Sequence, residues 1–307
     1  MTPGYRALRE SAAWIDLAGR GKIVVRGQDR ARLLHAMVTN HVEQLTPGSG
    51  CYTFFLDAQG HILGDANLFA GADYHLLDTE PETSAKLRDH LDRYIIADDV
   101  TLEDRTASFT TLAVEGPTAA GLLESLGAPA PVLPFSHAPW GARTVARIGP
   151  ERLFVFAPEG ERGSIVAALE SAGAVAATSG DALAVRLEQG RPRYGDDITE
   201  ANLPQETQML HAVHFNKGCY LGQEIVERIR SRGHVNRLLV RLSIGSAQPP
   251  APGTKVDSGV IHSAAFSPAL GRVLAFACLR AEQARPGNKV LVEGREAEVL
   301  PPSGALP

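Results

Sequence analysis

The apolar residues of this chain arrive in short runs that pair off, strand beside strand, with single helical stretches between the pairs. That spacing limits the fold more than any other feature. Residues 22–25 read as a strand, and Asp29 or Gln28 caps a helix that carries Leu33, Leu34, Met37 and Val38 on one face. Residues 51–56 and 62–69 read as two strands joined by the turn Asp57-Ala58-Gln59-Gly60. Further strands are expected at 74–79, 100–103 and 109–115, with a helix at 82–94. Helices at 118–126, 161–172 and 182–189 surround a hairpin over 143–148 and 153–157, after a loop at 128–139 that holds four prolines. Regular β–α alternation would wind a parallel sheet. Strands in pairs under single helices predict instead an α+β fold with mainly antiparallel sheets.

The texture changes after Val235. Short strands are expected at 238–242, 255–257, 260–263, 270–276 and 289–292, separated by turns rich in glycine and proline, with no helix among them. Close-spaced strands of that kind predict a small C-terminal β-barrel. The boundary falls near 235–238, dividing the chain into 1–235 and 236–307.

A chain of 307 residues with 44% hydrophobic content can bury a sizeable core. Its formal net charge of −5 argues against a protein that coats nucleic acid, and direct nucleic-acid binding is not expected. No apolar run approaches the roughly 20 residues that span a bilayer. The N-terminus, with Arg6, Arg9 and Glu10, lacks a signal-peptide core, so a cytoplasmic protein without membrane attachment is expected. The three cysteines, Cys51, Cys219 and Cys278, are far apart, which argues against a disulfide framework. Without CxxC or HExxH spacing, a metal site within this chain is not expected.

Three segments carry polar residues that no regular element explains. The first is Lys217-Gly218-Cys219-Tyr220-Leu221-Gly222-Gln223-Glu224, which opens a helix over 223–231. A helix N-terminus favours negative charge. From His214 to Arg241 six basic residues, Arg228 among them, stand against two acidic ones. Cations and a helix start both favour a thiolate, so Cys219 reads as a functional thiol. Cys51 and Cys278, in apolar strand patterns, read as small buried hydrophobes. The basic residues fit an ordinary solvated helix face equally. The second segment runs from Arg186 to Asp197. Glu188 there has the chemistry to accept two N–H bonds from an aminopyrimidine, and a salt-bridged surface loop explains the same composition. The third runs from Asp57 to Asp65. Asp57 makes the turn, while Asp65 sits in a strand, where aspartate is depleted. It reads as an edge-strand surface carboxylate or, alternatively, as a pocket acid or base.

The eight residues from Lys217 to Glu224 resemble the K-G-C-Y-x-G-Q-E signature of the YgfZ-like proteins, folate-binding relatives of the glycine cleavage system T protein. Phe55-Leu56-Asp57-Ala58-Gln59-Gly60, Val114-Glu115-Gly116-Pro117 and Arg232-Gly233-His234-Val235 extend the resemblance over nearly the whole chain. It implies two interleaved α+β domains in 1–235 and a barrel in 236–307, arranged as a three-domain ring around a central pocket for tetrahydrofolate or a one-carbon derivative. It implies a role in making or repairing iron–sulfur enzymes, including a tRNA-modifying one, as transient partners. Cys219 is then the functional residue, with Lys217 beside it. Glu188 falls at the T protein's pterin-binding glutamate, and Asp65, Tyr220 and Arg228 join it as candidate ligand contacts. The T protein carries its catalytic aspartate in G-G-I-x-D-D-L. The matching run here is Gly60-His61-Ile62-Leu63-Gly64-Asp65-Ala66, with one acid replaced by glycine. That loss weighs against the alternative, a folate-dependent aminomethyl or one-carbon transferase, and the retained Glu188 and Cys219 weigh against a ligand-free interaction module.

Overall fold

The computed structural model describes residues 1–302. The chain runs α1 (Pro3–Glu10), β1 (Ala13–Asp16), β2 (Gly21–Arg26), α2 (Arg30–Met37), β3 (Gly50–Leu56), β4 (Ile62–Ala70), β5 (Tyr74–Thr79), α3 (Ser84–Asp92), β6 (Thr101–Asp104) and β7 (Phe109–Glu115). It continues through α4 (Ala119–Ser125), β8 (His137–Trp140), β9 (Arg143–Gly149), β10 (Arg152–Pro158), α5 (Arg162–Ser171), β11 (Val175–Ala176), α6 (Ser179–Glu188) and α7 (Gln223–Arg232). The last strands are β12 (Arg237–Ile244), β13 (Lys255–Val256), β14 (Gly259–Ser267), β15 (Arg272–Arg280), β16 (Lys289–Val292) and β17 (Arg295–Leu300).

The α+β class holds. The first sheet has the order β3-β4-β5-β2-β6 and is antiparallel throughout. The second has the order β11-β1-β7-β10-β9-β8, and its one parallel pair is β1 with β11. The last six strands close on themselves in the order β12-β15-β14-β13-β16-β17. No helix among the described residues is long and apolar enough to cross a membrane.

Each layer has its own apolar filling. Leu33, Leu34, Met37, Leu87 and Leu91 of α2 and α3 pack with Phe55, Ala66 and Leu68 on one face of the first sheet. The opposite face of β3 and β4 sends Phe54, Leu56 and Ile62 into a second cluster with Leu239, Leu274 and Phe276 of the last six strands. β3 and β4 are therefore covered on both faces, which explains their nearly unbroken burial. The position before α2 is Asp29, as the sequence predicts, but its carboxylate accepts from the Asp99 amide rather than from the helix's own N–H groups. The sequence reading missed α1, which Thr2 caps through the amide of Tyr5 and which packs Tyr5 and Leu8 against α6 residues Ala184 and Val185.

Candidate functional site

A cavity of about 1280 Å³ is lined by both sheets, α6 and the closed C-terminal sheet. Its first-sheet wall carries Tyr52, Asp65, Asn67, Glu80 and Arg20. Asp65 is buried. Its Oδ2 accepts from the Tyr52 hydroxyl at 2.6 Å, while Oδ1 has no hydrogen-bond partner among the described residues. Burial, and then the negative charge of Glu80, push this carboxyl up to about 7, against the opposing pull of the Tyr52 hydrogen bond and Arg20. Asp65 is therefore a cavity acid, and the edge-strand surface reading of the sequence is overturned. The cause is its environment: β4 lies between β3 and β5, not at the sheet's edge.

Strand alternation also explains the glycine beside it. A Cβ placed on Gly64 would lie 3.0 Å from Leu87 of α3, on the side away from the cavity. An acid at that position would not reach the cavity from this strand, so its absence takes nothing from the cavity wall.

Five further arginines line the cavity, of which Arg186 pairs with Asp196 and Asp197, and Arg193 with Glu80, Glu82 and Asp196. Arg152 and Arg191 share one carboxylate, Glu115, at 2.6 and 3.0 Å. Burial lowers Arg191 to about 10 even with that partner. Arg241 of β12 reaches back to the backbone oxygens of Leu187 and Glu188, and its buried Nε has no partner among the described residues. Arg152 and Arg191 thus share one carboxylate and Arg241 bonds backbone oxygens, so this part of the wall is suited to a carboxylate-bearing ligand. Leu183, Met209, Leu239 and Phe276 supply apolar lining.

The other residues singled out in the sequence lie elsewhere. Glu188 ends α6 but does not line the cavity. Its Oε1 accepts from Tyr5 and Ser267, both at 2.5 Å, and Oε2 lies 3.4 Å from Arg9. So placed, it joins α1, α6 and the end of β14; Oε1 is taken by two protein hydroxyls, while the buried Oε2 has no hydrogen-bond partner among the described residues. Lys217 is half-buried, and its Nζ donates to the backbone oxygens of His35, Val38 and Asn40 at 2.5, 2.6 and 2.9 Å. Burial pushes it down to about 7. It closes the open carbonyls at the end of α2 and lies outside the cavity lining. Tyr220 is buried beneath Lys217, with the ammonium 4.9 Å from its ring centre, and packs with Phe54 and Val226. It is a core residue and does not line the cavity. Arg228 is exposed on α7, outside the cavity lining.

Cys219 is exposed and free, whereas Cys51 and Cys278 are buried. The loop that presents it is locked by glycines. Gly222 adopts φ 81°, and a Cβ there would lie 2.5 Å from the Asp57 oxygen. Gly60 adopts the same φ of 81°, and its Cβ would lie 2.8 Å from Ile225. The Asp57–Gly60 turn and the Cys219 loop are one interlocked unit. The structure does not bring Cys219 together with the Asp65 cavity wall.

Reading residue by residue missed Tyr52, Glu80, Arg20, Glu115 and Arg241. The one signal for them was charge inside or beside apolar strand patterns, the same signal that marked Asp65.

A large cavity held among two mainly antiparallel sheets and a closed β-structure, with a half-satisfied buried acid and six arginines set among six carboxylates in its lining, defines an α+β protein with a polar interior cavity. The GCVT N-terminal domain family matches residues 2–153. An aminomethyltransferase of Rubrobacter xylanophilus is 30% identical over 319 residues, covering 97% of this chain and 84% of that protein. One from Chloroherpeton thalassium is 26% identical, covering 95% of this chain and 85% of that protein. A putative chloroplastic transferase of Arabidopsis thaliana is 26% identical over 79% of this chain and 59% of its own length. The glycine cleavage system aminomethyltransferase T of Bartonella henselae shares the fold, with a TM-score of 0.87 at 21% identity, covering 97% of this chain and 87% of that one. The chain belongs to the aminomethyltransferase family. That family uses tetrahydrofolate as its one-carbon carrier.

Proposed function

We propose that this protein binds tetrahydrofolate or a one-carbon derivative in the cavity and acts as a folate-dependent one-carbon transferase of the aminomethyltransferase type. The observation that carries the reading is Asp65, a buried acid on the cavity wall with one oxygen unpartnered and a proton affinity near neutrality. The cavity's residues suit such a ligand. Arg152, Arg191 and Arg241 would take the carboxylates of its tail, and Leu183, Met209 and Phe276 would cover its rings. Bound tetrahydrofolate would supply the nitrogen that carries the one-carbon unit. Asp65 would hold, give or take the proton at Oδ1, while Tyr52 fixes the orientation of its carboxyl. In this reading 1–235 and 236–307 are the folding units, forming a three-domain ring around the cavity.

The test is calorimetric titration with tetrahydrofolate under anaerobic conditions. Wild type should bind, and Asp65→Asn should lose about tenfold or more in affinity, the scale of one hydrogen bond to a charged or strongly polar partner. No binding by the wild type sinks the reading. Transfer of a one-carbon unit from an aminomethyl donor, lost in Asp65→Asn, would establish the reaction class.

A second reading is favoured by one observation: Cys219 stands exposed on a loop that is rigidly interlocked and lies outside the cavity. With the Lys217–Glu224 segment, it supports a YgfZ-like, cytoplasmic factor that serves iron–sulfur enzymes through its thiol. Complementation of a deletion strain decides between them. Full recovery of iron–sulfur enzyme activity with Cys219→Ala would remove the thiol from the function.

A further inference from the structure

In the first sheet, β4 and β5 pair Ala66 with Thr79 and Asn67 with Asp78, and β2 and β5 pair Gly21 with Thr79 and Lys22 with Asp78. Both ladders end at Thr79; carried on by one residue, the same registers set Asp65 opposite Glu80 and Glu80 opposite Arg20, which donates to it. Residues facing each other across antiparallel strands project to the same side with their Cβ atoms about 5 Å apart. Asp65, Glu80 and Arg20 therefore form one row across three strands, and all three line the cavity. The row behind it is Asn67, Asp78 and Lys22, in which Asn67 donates to Asp78 at 2.8 Å.

We infer that Glu80 is a positioning residue for Asp65: the two carboxyls are a cross-strand acid pair in which Glu80, clamped between Arg20 and Arg193, stays ionised and keeps the proton on its neighbour. The inference rests on the proposal that Asp65 acts on a ligand in the cavity.

The two members of the pair have unequal partners. Glu80 Oε1 accepts from Arg20, and its Oε2 lies 3.0 Å from Arg193. Arg20 is itself bonded to both oxygens of Asp78 at 2.8 and 2.9 Å, so its guanidinium is fixed in place. Asp65 has one neutral donor, the Tyr52 hydroxyl, and no guanidinium bonded to it among the described residues. Burial opposes ionisation at Glu80 as well, but Arg20 and Arg193 outweigh it and hold this carboxyl below its ordinary value. The charged or titratable groups that act on Asp65 are Glu80, Tyr52, Arg20 and Asp78, and Asp65 in turn acts on Tyr194. Two like charges placed opposite one another are unfavourable, so the proton settles on the member with fewer cationic partners. A side chain at Gly64 would face the other side of the strand, toward Leu87, whereas Glu80, just past the end of β5, lines the cavity with Asp65.

The experiment titrates Asp65 in the ligand-free protein, by carboxyl carbon NMR with Asp65→Asn used for assignment. Wild type should titrate near 7. Glu80→Gln removes the facing charge and should lower the midpoint by about one unit or more. Arg193→Gln leaves Glu80 less neutralised and should raise it. Opposite shifts from two partners of one network are not what a merely structural loss would give. An unchanged or raised midpoint in Glu80→Gln overturns the inference, and if that variant does not fold, an unchanged or lowered midpoint in Arg193→Gln does so. The titration uses no folate. Failure to bind tetrahydrofolate with these shifts intact would therefore count against the functional reading alone.

Discussion

Asp65 shows what burial does to a single residue. Its folded proton affinity stands above the unfolded value of about 3.9, so between those limits the native state binds the extra proton. The stability this group contributes is then fully present below about pH 4 and is lost as the pH rises through about 7. Asp65→Asn, which is neutral at every pH, should match wild type near pH 4 and exceed it at pH 8 by on the order of a few kcal/mol. Guanidinium unfolding at the two pH values measures the difference, and an Asn variant that is no better at pH 8 would show that the acid is solvated. Lys217 and Cys219, two residues apart, should separate cleanly. Lys217→Met leaves three carbonyls at the end of α2 without their donor and should cost about 2 kcal/mol or more. Cys219→Ala, at an exposed position, should stay within about 0.5 kcal/mol of wild type. Comparable urea midpoints for the two would refute the assignment of Lys217 as a structural tie.

At the level of elements, β4 carries most of the argument. Its alternation sends Gly64 and Ala66 toward α2 and α3, and Asp65 and Asn67 toward the cavity. A strand's period of two was readable from the sequence, but which side held helices and which held a cavity was not. The glycines of the Cys219 loop are the second case. Gly222→Ala must place a Cβ against the Asp57 oxygen at a φ of 81°, and should destabilise by more than about 1 kcal/mol. Because the same loop abuts the Asp57–Gly60 turn, amide exchange should quicken in both segments together. Faster exchange confined to one of them would show that they are not a unit.

For the whole molecule, the contacts that join the layers matter most. Glu188 ties Tyr5 and Arg9 of α1 to Ser267 at the end of β14, and its side chain is 5% exposed. Asp197, fully buried, binds Arg186 and the Ser263 hydroxyl of β14. Glu188→Gln should lower the melting temperature, with a loss of about 1–3 kcal/mol, and leave the affinity for tetrahydrofolate unchanged. A selective loss of affinity with stability retained would return Glu188 to the ligand, in the place the family resemblance gives it. The direction of this result separates a tie between layers from a pterin contact more sharply than any single distance.

The linear chain was enough to determine the α+β class, the paired strands and the relationship to the aminomethyltransferases, because these follow from local periodicity, turn chemistry and likeness spread along the chain. It also exposed Cys219 as unlike the other two cysteines. It did not decide which polar residues share a cavity. Asp65, Glu80 and Arg20 meet through strand register, Arg191 and Arg152 meet at Glu115 across β7 and the segment after α6, and Lys217 is spent on the end of a helix some 180 positions earlier. Ionisation depends on such neighbours and on the water they exclude, and both are set by chain segments far apart in sequence. The surroundings of Asp65, Glu188 and Lys217 were therefore decided by the tertiary structure alone.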